Sequence, residues 1–184
     1  MGKVFDEIGE PLAAWLRAQR LFFVATAPLA GSGHVNCSPK GQDSFVVLGA
    51  REVAYLDFVG SGIETAAHLR ENGLITLMFC AFEGPPRIVR LYGRGELLEP
   101  GSAEFAALRG RFPAAPGTRA LVRVALNRIA DSCGYAVPLY RYEGERSQLQ
   151  VWAERKGPEG LRSYQKEHNL ESIDGLPGLR GERL

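Results

Sequence analysis

The chain has 184 residues, 45% of them apolar and 23% charged, enough to bury one substantial core in an ordinary globular protein. Its 22 basic residues nearly balance 21 acidic ones, and the net charge of +1 argues against a nucleic-acid partner, which demands a basic surface. No apolar run is long enough to cross a bilayer, and the opening stretch MGKVFDEIGEPLAAWLRAQR carries acids and an early proline where a signal peptide has an apolar core, so a cytoplasmic protein without membrane contact is expected.

Phe5, Ile8, Leu12, Trp15 and Leu16 recur at helical spacing and predict an opening amphipathic helix. LFFVATA (21–27) predicts a strand, GSG at 31–33 a turn, and HVNCSP (34–39) its hairpin partner. SFVVLG (44–49) and VAYLDFV (53–59) predict two more strands around the charged turn at Arg51 and Glu52. A helix over 61–72 ends at the stop signal of Asn72 and Gly73. LITLMFCAF (74–82) is a nearly continuous apolar strand; EGPP (83–86) turns the chain, and RIVRLYGRGELLE (87–99) runs back. SAEFAALRGRF (102–112) reads as a helix capped by Ser102. RALVRVALNRIADSCGYAVPLY (119–140) is strand-like at both ends. Residues from about 146 to 168 read as helix, with Leu149, Trp152, Leu161 and Tyr164 as apolar points, and SIDGLPGLRGERL (172–184) is a glycine-rich end.

Six or seven strands joined mostly by short turns, with four helices, predict an α+β fold whose mainly antiparallel sheet forms a small barrel. A doubly wound parallel sheet would need a helix after nearly every strand, and these are missing. One domain over residues 1–184, with a helical tail from about 146, is expected. Cys37, Cys80 and Cys133 are odd in number and far apart, which gives neither a disulfide framework nor a zinc site, and no metal is expected. His34, His68 and His168 read as surface or capping residues. Met1 and Gly2 begin like an acylation signal, but Asp6 stands where Ser or Thr is required.

Three stretches can carry chemistry. In FVGSGIETAAHL, Ser61 with Glu64 three residues later forms a capping box. That leaves Gly60, Gly62 and Thr65 unexplained, and free amides at a helix start beside hydroxyls also suit an anion. In HVNCSPKG, Asn36, Ser38 and Lys40 alternate along a strand and so face one way. A polar face ending in lysine suits a phosphate or a polyol chain, and it equally suits a solvated outer strand. In GPPRIVRLYGRGE, Arg90 lies in mid-strand among Ile88, Val89 and Leu91, with Arg87 three residues earlier; either an edge charge or a cation for a buried anion fits. ADSCGYAVP invites a nucleophile role for Cys133, against the simpler reading of a strand bending at Gly134 around a small thiol.

The order of NCSPKG, YLDFVGSGIETAAHLRENG, LITLMF and RIVRLYG over residues 20–100 resembles the pyridoxamine 5'-phosphate oxidase-like, FMN-binding split-barrel family. The resemblance implies a homodimeric split β-barrel flavoprotein that binds FMN. It implies that Asn36, Cys37, Ser38, Pro39 and Lys40 border the ribityl chain and phosphate, with Lys40 the phosphate's cation. Tyr55 and Leu56 would lie under the flavin ring, partly through their backbone, and Ser61 and Thr65 beside the phosphate. Arg87, Ile88 and Val89 would approach the ring's polar edge, and Arg90 the cofactor cavity. Ser132, Cys133 and Tyr135 would shape a substrate pocket. The departures are equally specific. Glu64 and Thr65 replace the family's phosphate-binding arginine–lysine pair, Ile88 replaces a glutamine at the flavin edge, and the C-terminal arginine–histidine signature of true pyridoxamine phosphate oxidases is missing. The resemblance thus implies an FMN-dependent oxidoreductase with an unassigned substrate. A flavin-storage or flavin-sensing protein without turnover, or a relative using F420 or haem, are the alternatives.

Overall fold

The computed structural model describes residues 2–181; Met1 of the acylation reading and the last three residues of the glycine-rich end lie outside them. The elements in chain order are β1 (Val4–Phe5), α1 (Glu10–Ala18), β2 (Phe22–Thr26), β3 (Asn36–Lys40), β4 (Phe45–Gly49), β5 (Glu52–Phe58), α2 (Glu64–Glu71), β6 (Leu74–Cys80), β7 (Ile88–Leu98), α3 (Ala103–Arg109), β8 (Thr118–Ser132) and α4 (Gln148–His168). Eight strands form one sheet in the order β3-β2-β6-β7-β8-β5-β4, with β1 on β8, and every pairing is antiparallel. The strand beyond the expected six or seven is β1, whose two residues lie where the opening helix was expected to begin. The helix itself starts later, at Glu10, with Pro11 in its first turn.

The sheet rolls into a barrel without closing. β2 and β4 are far apart in the strand order, yet Phe22 on β2 meets Phe45 on β4 and Tyr55 on β5 at centroid distances of 5.6 Å. Phe79 on β6 stacks on Phe22 at 5.1 Å and meets Phe45 at 4.9 Å. These rings and the buried aliphatics of β5 to β8 fill the interior, and Leu12, Ala13 and Leu16 of α1 join them. The free edges of β3 and β4 define the split.

The strand β5 is buried on both faces, which explains its unbroken apolar reading. Val53 and Tyr55 point into the barrel, while Ala54 and Leu56 pack outside it in a second cluster with Leu98, Phe112 and Leu121, against which Phe105 and Leu108 of α3 rest. The Ser102 hydroxyl accepts from Phe105 N–H at 3.1 Å, as the capping reading required. Along β7 and β8 the register slips after Tyr92. A Cβ on Gly93 would stand 2.2 Å from the Ala125 carbonyl oxygen, so only glycine allows the two strands to run this close.

Three further expectations are corrected. The strand-like reading of 119–140 holds only to Ser132, beyond which the chain leaves the sheet and Tyr140 stacks on Phe82 at 5.3 Å. The tail helix breaks at Gly157, with φ +64°, before Pro158, and Trp152 packs on Tyr164 across the break. His68 is no surface residue: α2 lays it against β2, wholly buried, with Nδ1 2.9 Å from the Thr26 hydroxyl. Burial lowers its pKa, against the pull of Asp174, Glu64 and Glu71, so the ring is neutral near pH 7.

Candidate functional site

The edge strand β3 alternates as its sequence requires. Asn36, Ser38 and Lys40 are half-buried on one face, and Cys37 and Pro39 are exposed on the other. The register identifies the first as the barrel's inner face, because Lys40 pairs with Phe22, Phe22 with Phe79, and Phe79 with Val89. At the barrel's open side this polar row meets the loop that leads from β5 into α2. Together they enclose a cleft of about 260 Å³ lined by Asn36, Ser38, Lys40, Ser61, Glu64, Thr65 and the backbone around Gly60. The Asn36 side-chain amide donates to Thr65 Oγ1 at 2.8 Å, and the Ser38 hydroxyl donates to Asn36 Oδ1 at 3.0 Å. One hydrogen-bonded wall thus joins β3 to α2.

The capping box is not made. The first residue of α2 is Glu64, with Ile63 in the cap position and no side-chain cap. Its first backbone bond runs from Ala67 N–H to Ile63 C=O, so the preceding amides have no intrahelical partner. What holds the loop open is Gly60, whose carbonyl accepts from Arg119 Nη1 at 3.2 Å and from Asn169 Nδ2 at 2.8 Å. Ser61 is left exposed beside the cleft.

The charges come from three elements. Asp57 on β5 is 1% exposed; it accepts from Lys40 Nζ at 2.8 Å and from Arg119 Nε at 2.7 Å. Burial pushes its carboxyl up, but the Arg119 guanidinium and the Lys40 ammonium outweigh burial and lower its pKa to about 2. Arg119 reaches this position because β8 slips register opposite Asp57 and Phe58. Ala120 pairs with Asp57 and Thr118 with Phe58, which turns Arg119 out of the ladder. Its Nη1 also donates to Asn169 Oδ1 at 3.1 Å.

The C-terminal segment braces this wall. Leu179 N–H bonds to the Asn169 carbonyl, and the Leu179 side chain packs against Ile63 and Ala66. Arg70 Nε donates to the Gly178 carbonyl at 2.6 Å, and its guanidinium pairs with Glu99. Asp174 accepts from His34 N–H at 2.8 Å and lies 2.6 Å from His34 Nδ1, which ties this segment to the loop before β3.

The site residues expected near the flavin ring lie outside this cleft. Tyr55 and Leu56 are fully buried in the two apolar clusters, and neither side chain faces the cleft. Arg90 and Ile88 lie on the outer face of the sheet, where the row through Arg90 contains Met78, Phe23 and Pro39. Arg90 Nη1 donates to the Ser132 hydroxyl at 3.0 Å. Val89 is core. Arg87 pairs with Asp131 at 3.0 Å and stacks its guanidinium over Trp15 at 5.0 Å, near α1. Cys133 is exposed, and Tyr135 is 83% exposed. The structure therefore gathers Asn36, Ser38, Lys40, Ser61 and Thr65 at the cleft, and places Arg90, Ile88 and Ser132 on the outer face of the sheet.

Sequence reasoning missed Asp57, Arg119 and Asn169. Asp57 did carry a signal, since a carboxylate inside the apolar run YLDFV requires a buried cation. Nothing local announced the other two.

The family model described as pyridoxamine 5'-phosphate oxidase matches residues 8–133. The pyridoxamine 5'-phosphate oxidase family protein ustO of Aspergillus flavus is 38% identical over 192 residues, which span 95% of this chain and 77% of that protein. Among solved structures, a Lactobacillus delbrueckii protein named after pyridoxamine 5'-phosphate oxidase has a TM-score of 0.53 at 17% identity, covering 69% of this chain and 98% of its own. Group A Streptococcus HupZ has a TM-score of 0.50 at 22% identity, covering 66% of this chain and 91% of its own. The two structural likenesses concern the fold alone.

Proposed function

Because this chain belongs to the pyridoxamine 5'-phosphate oxidase family, we propose that it binds FMN and serves as a flavin-dependent oxidoreductase acting on a small molecule. The observation that carries this reading is the cleft. The Lys40 ammonium and the Ser61 and Thr65 hydroxyls converge there with helix amides lacking intrahelical partners, beside the wall that Asn36 and Ser38 build. That donor set fits a phosphate monoester and its polyol chain. At about 260 Å³ the cleft takes that end of the cofactor and leaves the ring outside. When bound, FMN would supply hydride or electron transfer, while the chain holds the phosphate end and shapes the surroundings of the ring. The substrate is proposed to differ from pyridoxine 5'-phosphate, because the C-terminal segment lacks the arginine–histidine pair of true oxidases. The absorbance spectrum of the purified protein, with mass identification of whatever is released on denaturation, tests the cofactor. Lys40→Ala is expected to weaken FMN binding about tenfold to hundredfold, roughly 1.5–3 kcal/mol. A folded variant that titrates with FMN like the parent would remove the phosphate assignment.

The same reading includes a twofold dimer. Phe23, Met78, Ile88 and Tyr92 are half-buried on the outer face of β2, β6 and β7, and a second copy laid on this face would cover them and supply a wall for the ring. Light scattering is expected to give about twice the 20.1 kDa of one chain. A 20.1 kDa species that binds FMN undiminished on dilution would exclude the shared site.

A further inference from the structure

We infer that Arg119 is an anion-binding residue of the cleft, and that Glu64 opposes it and sets the affinity. The inference rests on the reading of the cleft as a phosphate site. It starts from the donors of the two cations. A guanidinium has five N–H groups. In Arg119, Nε is used by Asp57, and Nη1 is used by the Gly60 carbonyl and Asn169 Oδ1. Nη2 has no partner among the described residues. It is also not among the side-chain atoms sealed from water without a partner, so part of it is reachable by solvent. Arg119 borders the cleft together with Lys40, and the Lys40 ammonium has given one donor to Asp57. Two cations and one carboxylate leave this group with a net positive charge and spare N–H donors, held in place from three sides.

The burial of Arg119 is what makes it effective. Its side chain is 4% exposed and fixed by three hydrogen bonds, to Asp57, Gly60 and Asn169, so little freedom is lost when an anion arrives. Lys40 makes one hydrogen bond, to Asp57, and is 14% exposed, so it is less constrained. Glu64 is the opposing element. It lines the same cleft, with Oε1 3.5 Å from Ile173 N–H and Oε2 beside Gly62, and its charge works against an anion held by Arg119.

The test titrates FMN and riboflavin, which lacks the phosphate, into the cofactor-free full-length chain and its Arg119→Gln, Arg119→Lys and Glu64→Gln variants, with folding checked by circular dichroism. Arg119→Gln is expected to cut FMN affinity about tenfold to hundredfold and to leave riboflavin nearly unchanged. Arg119→Lys keeps the charge without the spare amino group and should fall between. Glu64→Gln should raise FMN affinity several-fold with no effect on riboflavin, and it remains informative if Arg119→Gln does not fold. Equal loss of both flavins in Arg119→Gln would make Arg119 a structural brace only. Unchanged FMN binding in either the Arg119→Gln or the Glu64→Gln variant would overturn the inference. So would a response to Arg119 without one to Glu64, which would place the anion in the separate cavity of about 230 Å³ that Arg119 borders beneath α4. If the parent binds neither flavin, the FMN reading fails by itself. Thermal stabilisation by inorganic phosphate, lost in the Arg119 variants, would then still support the anion site, and no stabilisation would end both.

Discussion

Asp57→Ala is expected to destabilise the fold by about 3–5 kcal/mol, the cost of leaving buried charges without their partner. Asp57 is the only carboxylate hydrogen-bonded to both Lys40 and Arg119 among the described residues, and their side chains are 14% and 4% exposed. Arg119 cannot turn to water without unpacking β8, and Lys40 would keep only the cleft's water in place of its partner. Asp57→Asn keeps the volume and should cost nearly as much, because the charge is what the cations require. Urea unfolding at neutral pH measures both; a loss below about 1 kcal/mol would show that water already screens the group. The same carboxylate makes stability depend on acid. Its folded pKa of about 2 lies below the unfolded value of about 3.9, so its contribution is complete above pH 4–5 and is lost as pH falls through about 2. That difference is worth about 2–3 kcal/mol and should vanish from the pH profile of Asp57→Asn.

Phe79→Ala should cost about 3–5 kcal/mol for a different reason, the loss of an aromatic ring from a close-packed interior. Phe79 is fully buried and touches both Phe22 from the adjacent strand β2 and Phe45 from the far edge strand β4. It therefore ties together strands that do not hydrogen-bond to each other, and its removal opens a cavity where the barrel rolls shut. The denaturation midpoint should fall with little change in m-value if the variant remains two-state. Phe82, which stacks on Tyr140 outside the barrel, should cost far less on the same substitution. Equal losses at the two positions would mean that the aromatic cluster does not hold the barrel.

What the sequence determined by itself was whatever depends on short-range periods. Alternation with period two put Asn36, Ser38 and Lys40 on one face, and the structure keeps them there, because successive side chains of a strand must point to opposite sides. The Ser102 cap, the apolar strands β2 and β6 and the short antiparallel connections were legible for the same reason. The Ser61–Glu64 box satisfied every local rule and still failed, because Gly60 is held by Arg119 and Asn169 from distant parts of the chain, and that delays the helix to Glu64. Local propensity is worth about 1 kcal/mol at such a cap and yields to two long-range hydrogen bonds, one of them from a charged guanidinium. Tertiary structure alone decided that Arg90 and Lys40 lie on opposite faces of the sheet, since which row a strand joins is set by register with its neighbours. It alone also brought Arg119 to Asp57, through one slipped residue where β8 meets β5. A bulge has no short-range sequence signature here: it is the result of fitting two long strands around a rolled core, and it placed a cation in the cleft that no motif in the chain announced.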